Sequence, residues 1–317
     1  MPHLMGHSAI RVVLLVTGLA AAVGAQSWRI IESRDRGKDL VAWVQPDRLY
    51  WRPFAIRGIR DAEIKLLSVD ETTQARSQIK RLPPGWSRPT GYHKTNTEIF
   101  VLDGDLAIGD KKMGKYSYAH YPAGYAHGPV HTDYGATFLE WWDGPPDFVA
   151  SRESKPDARS DQVIEGWNYY TARLAKAEDF PKFSNRPLPP DYPIHLKIIR
   201  RDPVTGQLTW IAMTPGGGAG SLTAGKRRPL WSANPAWEEG YLLEGDMTVG
   251  ECLPVGEVVG SYGPGGYFFR PASAPYGGRS LWSSTYSLWL FRTGSSSGLN
   301  YFDRCDNPKE TEKEGRE

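Results

Sequence analysis

The sequence has little net charge, few cysteines and only one long apolar run. Its formal net charge is +2 over 317 residues, and its basic residues are scattered, which excludes the one-sided basic surface of a nucleic-acid-binding protein. Outside the N-terminal run, no segment is apolar enough to span a bilayer. The two cysteines, Cys252 and Cys305, permit one disulfide, and the sequence does not decide whether it forms.

The apolar run predicts an export signal. Arg11 supplies positive charge, residues 12–23 are apolar, and Val23-Gly24-Ala25 offers small residues for cleavage before Gln26. The run is too short for the roughly 20 residues that span a bilayer. We therefore expect residues 1–25 to be a signal peptide and the mature protein to be secreted or periplasmic, without membrane attachment.

Aromatic residues, glycine and proline are abundant, and they favour a particular fold class. The chain has 12 Trp, 16 Tyr, 34 Gly and 25 Pro, a composition that suits strands joined by tight turns. Residues 98–104, 115–122 and 136–144 have the pattern of strands, and strands do not alternate with helices along the chain. These features predict an all-β sandwich or barrel.

The second half of the sequence repeats the first. Residues 239–245 (EGYLLEG) correspond to residues 98–104 (EIFVLDG), and residues 266–277 correspond to residues 115–128. The matching strand order, turn glycines and proline indicate a duplicated β unit. We predict a signal peptide over residues 1–25, an N-terminal barrel over 26–150, a linker over 151–192 that could hold one short helix, a C-terminal barrel over 193–305 and a charged tail over 306–317.

Histidine is concentrated in one stretch of the first half. Four of the seven histidines, His93, His120, His127 and His131, lie within residues 85–131. Imidazole beside carboxylate suits Zn, Fe, Ni, Cu and Mn. The interpretation that this stretch builds a metal site stands against the alternative that the histidines lie on strands facing different ways.

The same stretch resembles the cupin superfamily. The first cupin motif has the form G(X)5HXH(X)3,4E(X)6G, and here Gly91 takes the place of its first histidine, while His93 and Glu98 fit the later positions. Pro122-Ala-Gly124-Tyr-Ala-His127 meets the second motif, PXGXXH, in full. The resemblance covers nearly all of residues 55–303 and looks closest to exported two-cupin proteins, a largely uncharacterised family related to the cupin lobe of anti-sigma factors. It implies two tandem jelly-roll barrels.

Two registers are open for the motif carboxylate. Counted forward from His93 the residue is Glu98, whereas counted back from Gly104 it is Thr97. The second repeat has glutamate at both corresponding positions, 238 and 239, and does not decide between them. We expect Glu98 to face the site because a threonine hydroxyl is a poor ligand for a divalent metal.

The resemblance implies one divalent transition metal (Fe, Ni, Mn or Zn) per chain, bound in the N-terminal cupin. The predicted ligands are His93, Glu98 and His127. In the second half, Asn234 and Tyr276 match the two histidines, and they make a poor transition-metal site. We expect that half to be a metal-free structural partner.

Three functions remain open from the sequence. A three-ligand site leaves coordination positions free, and with Fe, Ni or Mn the resemblance implies an oxygenase that acts on a small diketone, enol or phenolic. The alternatives are a cupin that binds or senses a small molecule without turnover, and a metal-dependent isomerase or lyase. His131, where the family usually has asparagine, is predicted to be catalytic, against the alternative of a surface histidine. The partner is a small molecule, and a homodimer is left open.

Overall fold

The computed structural model describes residues 37–56, 59–175, 195–218, 231–295, 299–302 and 304–305. Within these ranges the chain is nearly all β-strand, with short 3-10 helices at Pro46–Arg48 and Ser160–Gln162. The all-β prediction is confirmed. The predicted signal peptide and charged tail lie outside the described residues. Within the described ranges, no helix is long and apolar enough to cross a membrane.

The described ranges contain 23 strands. Those of the first half of the sequence are β1 Val41–Val44, β2 Arg52–Ile56, β3 Ile59–Val69, β4 Arg76–Leu82, β5 Ser87–Arg88, β6 Gly91–Tyr92, β7 Thr97–Gly104, β8 Leu106–Ile108, β9 Lys111–Met113, β10 Ser117–Tyr121, β11 Val130–His131, β12 Ala136–Trp142, β13 Val149–Ala150 and β14 Ile164–Asn168. Those of the second half are β15 His195–Arg201, β16 Leu208–Gly218, β17 Trp231–Ala233, β18 Glu238–Gly245, β19 Met247–Leu253, β20 Gly256–Tyr262, β21 Tyr267–Arg270, β22 Tyr276–Thr293 and β23 Asn300–Phe302.

The main sheets of the two halves have the same strand order. In the first half the order is β14-β10-β7-β12-β4-β3-β2, and in the second half it is β1-β21-β18-β22-β16-β15. All the pairings within these two sheets are antiparallel. The sheets correspond strand for strand, apart from the added β2, as expected for a duplicated unit.

Two edge strands do not follow the predicted division of the chain. β1 lies in the predicted N-terminal barrel but pairs with β21 of the second-half sheet. β14 lies in the predicted linker and pairs with β10 of the first-half sheet. The helix that this linker could hold is therefore replaced by a strand at Ile164–Asn168, and residues 176–192 of the linker lie outside the described residues. Each sheet thus gains an edge strand from outside the predicted boundaries of its repeat.

The backbone pairing follows the alignment of the two repeats. Glu98 of β7 pairs with residues of β10 and β12, and Glu239 of β18 pairs with residues of β21 and β22. Gly104 and Gly245 close these strands at φ values of 79° and 81°. The repeated glycine therefore marks a position that requires the left-handed conformation.

Replacement of Gly104 by alanine should be costly for this reason. A Cβ at this position would press against the carbonyl oxygen of Gly135, and the positive φ adds backbone strain. We expect Gly104→Ala to lower the free energy of unfolding by about 1–3 kcal/mol, measured by urea denaturation. Gly114→Ala is the control, because a Cβ there meets nothing within 4 Å. Equal losses of unfolding free energy in the two variants would contradict the requirement for a left-handed backbone conformation at Gly104.

Alternation along the strands gives the first-half sheet two buried faces. On β7, Ile99 and Val101 join the interior core of the first half, whereas Phe100 faces the second half. We call these the interior face and the junction face. The junction core combines residues of both halves, among them Phe100, Tyr118, Leu139 and Trp141 with Ile211, Tyr241, Phe269 and Leu290. The parity of a residue on its strand therefore decides whether it can reach a site inside the barrel.

The two cysteines, whose pairing the sequence did not decide, form a disulfide. Cys252 of β19 and Cys305 form a disulfide with their Cα atoms 5.4 Å apart. The bond ties the second-half sheet to the segment that follows β23.

Candidate ligand-binding site

Two of the predicted ligands meet inside the first half. The rings of His93 and His127 have centroids 5.3 Å apart, and both residues are only 4% exposed. Their approach follows from the backbone, because Gly91 and His127 bond to each other through both amides, at 2.8 and 3.2 Å. The second half has the equivalent pairing between Ser232 and Tyr276.

Backbone carbonyls fix the orientation of both imidazoles. His93 Nδ1 lies 2.5 Å from the carbonyl oxygen of Asp147, and His127 Nδ1 lies 3.1 Å from that of Tyr125. A carbonyl only accepts, so each Nδ1 carries the hydrogen and each Nε2 is left as an acceptor. Burial, reinforced by the charge of Arg88, lowers the pKa of His127 to about 3. Burial and the neighbouring His127 hold the pKa of His93 well below its usual range.

Glu98 does not join the histidines, and the expectation that it faces the interior is wrong. Alternation on β7 turns Thr97 inward and Glu98 to the junction face. There the Glu98 carboxylate accepts hydrogen bonds from Tyr118 (2.6 Å), Thr209 (2.9 Å) and Arg292 (2.7 Å). Burial opposes ionisation, but the charges of Arg292 and Arg200 outweigh it and hold the pKa of Glu98 well below its usual range. The carboxylate is therefore part of a contact between the halves.

His131 also lies away from the two buried histidines. It is the second residue of β11, where its side chain is exposed while that of Val130 is buried in the interior core. The backbone of His131 pairs with Ser87 and Ala107. This placement matches the alternative interpretation of His131 as a surface histidine.

Arg88 takes the position beside His127 that the sequence assigned to a metal. It is 7% exposed and its Nη2 lies 2.7 Å from His127 Nε2. Nη1 donates to the carbonyl oxygen of Pro89 at 3.1 Å, and the guanidinium lies 4.6 Å from the centre of the Phe148 ring. Burial lowers the pKa of Arg88 to about 10, so the group stays protonated at neutral pH.

The residues present do not fit the predicted metal. Among the described residues, no group of three histidine, cysteine, aspartate or glutamate side chains is placed to hold an ion. Besides the Glu140 carboxylate, which Lys80 and Gln78 already bond, the interior offers two imidazoles and the Thr97 hydroxyl, and a hydroxyl is a weak ligand for Fe, Ni, Mn or Zn. The lone pair that His127 would give to a metal instead accepts a hydrogen bond from a cation.

The other charges of the interior neutralise each other. Lys80 Nζ lies 3.0 Å from one oxygen of Glu140, and Gln78 Nε2 donates to the other oxygen at 2.6 Å. Arg88 therefore carries the uncompensated charge among these side chains. We call Arg88, His93, Thr97, Tyr121, His127 and Trp142 the interior site.

Aromatic rings form the walls of the interior site. Tyr121 stacks on His127 with ring centroids 3.8 Å apart and an interplanar angle of 7°. Trp142 meets His93 edge-on at 4.4 Å. Thr97 Oγ1 and Trp142 Nε1 are among the buried polar atoms here that have no hydrogen-bond partner within the described residues, and they belong to residues paired across β7 and β12.

Comparison with known proteins places the chain in a family. A family model described as "Domain of unknown function (DUF4437)" matches residues 45–294. The chain belongs to the DUF4437 family. A search of curated proteins found no match.

Solved structures similar to this DUF4437 chain have the cupin fold. A provisionally assigned dioxygenase from Nostoc punctiforme is 20% identical with a TM-score of 0.64, covering 82% of this chain and 83% of that one. Ylba from E. coli, of the family DUF861, is 12% identical with a TM-score of 0.53, covering 84% and 93%. Oxalate decarboxylase from Lactobacillus farciminis, in a formate complex, is 12% identical with a TM-score of 0.52, covering 81% and 87%. At these identities the likeness concerns the fold alone, and this fold agrees with the one that the cupin resemblance implied.

The second half of the DUF4437 chain fills its interior with an ion pair of its own. Arg270 Nη2 lies 2.6 Å from Glu251, and Nη1 lies 3.4 Å from Glu238. The guanidinium lies between the rings of Phe268 and Tyr276, at 3.6 and 3.8 Å from their centres. Glu238 has the place that Thr97 has in the first half. In this interior the cation already has carboxylate partners.

Sequence reasoning missed Arg88, the residue that most changes the chemistry of the site. It lies three positions before Gly91, inside the stretch that carries the cupin resemblance. The motif directs attention to histidine and glutamate, and arginine has no place in it. The available signal was an arginine within a short stretch that also holds the buried histidines.

Proposed function

We propose that the first half of this chain binds a small molecule in the interior site without using a transition metal. The observation that carries the proposal is the hydrogen bond from Arg88 to His127 Nε2. A metal would need that nitrogen, and the carboxylate expected to complete its ligand set is held on the junction face by Arg292. Arg88 supplies the fixed positive charge that a metal would otherwise provide.

Binding without turnover is the activity that this arrangement supports best. His127 is held from three sides, by Tyr125 at Nδ1, by Arg88 at Nε2 and by the stacked ring of Tyr121. Burial holds its pKa at about 3, so it is a weak base at neutral pH. A positioned but weakly basic ring suits recognition of a ligand better than proton transfer.

A metal-dependent oxygenase is the second candidate, and one observation favours it. Both imidazoles donate from Nδ1 to backbone carbonyls, the arrangement that metal-binding histidines commonly have. The likeness to a provisionally assigned dioxygenase is compatible with this candidate. It requires Arg88 to leave His127, and a third strong donor to approach.

We also propose that the protein is exported. The apolar run that follows Arg11 and the small residues before Gln26 support export. The disulfide between Cys252 and Cys305 agrees with it, because such bonds persist in oxidising compartments.

Metal analysis of untagged mature protein tests the proposed function. We expect well under one equivalent of Fe, Ni, Mn or Zn per chain after incubation with excess metal and gel filtration, because two imidazoles alone bind a divalent metal weakly. His127→Ala and His195→Ala form the matched pair, since His195 is an exposed histidine of the other half. One equivalent of metal in the wild type and in His195→Ala, lost in His127→Ala, would reject the proposal in favour of the second candidate.

A further inference from the structure

Arg88 differs from every other buried arginine that the structure describes. Four arginines are buried within the described residues. Three of them have a carboxylate partner: Arg200 bonds Asp202 at 2.6 Å, Arg270 bonds Glu251 at 2.6 Å and Arg292 bonds Glu98 at 2.7 Å. Arg88 bonds the ring of His127 and the backbone of Pro89. It forms no ion pair with a described carboxylate.

No neighbouring side chain that the structure describes supplies the missing negative charge. Glu140 acts on Arg88 from a distance, but its two oxygens are bonded by Lys80 and Gln78. The phenol of Tyr121 stays neutral, because burial and then Glu165 raise its pKa above the ordinary range. A buried cation without a counter-charge is strongly unfavourable, so a negative group from outside the chain would be stabilised here.

The Arg88 guanidinium has further N–H groups that could donate hydrogen bonds to such a negative group. It carries five N–H donors, and its described hydrogen bonds are one from Nη1 and one from Nη2. A planar fork of this kind matches a carboxylate through two parallel hydrogen bonds. Thr97 Oγ1 and Trp142 Nε1 are buried without a partner among the described residues, and buried polar atoms are normally satisfied.

We infer that the ligand of the interior site is a small organic anion whose carboxylate pairs with Arg88. The inference rests on the proposed function and adds the chemical class of the ligand. The rings of Phe148, Tyr121 and Trp142 give the site apolar walls, so the ligand has a flat or apolar body behind the carboxylate. Thr97 and Trp142 offer the second anchor for a polar atom of that body.

Binding of benzoate and benzamide to the mature protein tests this inference. The two probes have nearly the same shape, and only benzoate is charged at neutral pH. Isothermal titration calorimetry should give a dissociation constant for benzoate about tenfold or more below that for benzamide, because hydrogen bonds to charged groups are the stronger ones. Inorganic phosphate should bind more weakly than benzoate, because it has no apolar body to contact the rings.

Arg88 variants decide whether the charge is the anchor. Arg88→Met should weaken benzoate binding about tenfold or more while leaving benzamide nearly unchanged. Ligand-free Arg88→Met should unfold at the same or a higher urea concentration than the wild type, because a buried cation without a counter-charge has been removed. Arg88→Lys keeps the charge without the fork and should bind benzoate with intermediate strength. If Arg88→Met fails to fold, the benzoate affinity of Arg88→Lys tests whether Arg88 anchors the carboxylate. Arg52→Met, at an exposed arginine of β2, is the control and should match the wild type.

Each contrary outcome would reject an organic anion as the ligand without rejecting the interior site as a binding site. Equal binding of benzoate and benzamide, or full benzoate binding by Arg88→Met, would show that charge is not recognised. Binding of phosphate alone, or of none of the probes, would reject an organic carboxylate. In these cases the proposed function still stands if the metal content is low. The proposed function has its own test: stoichiometric metal binding that depends on His127 would reject it.

Discussion

Arg292→Ala is expected to lower the free energy of unfolding by about 3–5 kcal/mol. Arg292 on β22 bonds Glu98 of the first half at 2.7 Å and Glu239 of the second half at 2.5 Å. Both carboxylates are at most 3% exposed. Removal of the arginine leaves two buried negative charges at the junction, with Arg200 near one and Lys38 near the other at 3.7 and 3.6 Å. Urea denaturation at neutral pH measures the loss.

An exposed ion pair gives the matched comparison. Arg81 bonds Glu63 at 3.0 Å through Nε, but both side chains are more than two-fifths exposed. We expect Arg81→Ala to lower the free energy of unfolding by at most about 1 kcal/mol. The double variant Arg292→Ala with Glu98→Gln should lose less than the sum of its single variants, since the two groups interact directly. Similar losses for Arg292→Ala and Arg81→Ala, or strict additivity, would contradict the bridging role.

The same contact explains why the sequence could not decide the register of β7. Thr97 and Glu98 are adjacent, and one of them must face each side of the sheet. The deciding partner of Glu98 is Arg292, which lies 194 residues further along the chain. The cupin motif covers only the local stretch of sequence, and within it Glu98 is the better metal ligand, so Glu98 was expected to face the interior. This expectation failed because a distant arginine forms a buried ion pair with that carboxylate on the opposite face.

Other parts of the fold were accessible from local sequence. Gly104 and Gly245 marked the same turn in both repeats because each needs a positive φ. His93 and His127 met because the bend after Pro122 returns the chain to Gly91. The pairing of β1 with β21 was not accessible, because the alternation of a strand indicates which face is buried without naming the strand beside it.

Arg270→Ala is the second substitution with a large expected effect, again about 3–5 kcal/mol of lost stability. It would leave Glu251, which is 1% exposed, without the arginine that bonds both of its oxygens at 2.6–3.0 Å. It would also remove the guanidinium that separates the rings of Phe268 and Tyr276. Arg279→Ala is the control, because Arg279 is exposed on the same strand, β22, as Tyr276. Its loss should stay within about 0.5 kcal/mol.

A compensating substitution separates charge from packing in this prediction. Arg270→Met combined with Glu251→Leu removes both members of the pair and restores apolar contact with the two rings. The remaining Glu238 can take up a proton, since burial raises its pKa, so it need not stay charged. We therefore expect the double variant to recover most of the stability that Arg270→Ala loses. Benzoate affinity should stay unchanged in both variants, because Arg270 belongs to the other interior. A double variant as unstable as Arg270→Ala would mean that shape, not charge, holds the second half together.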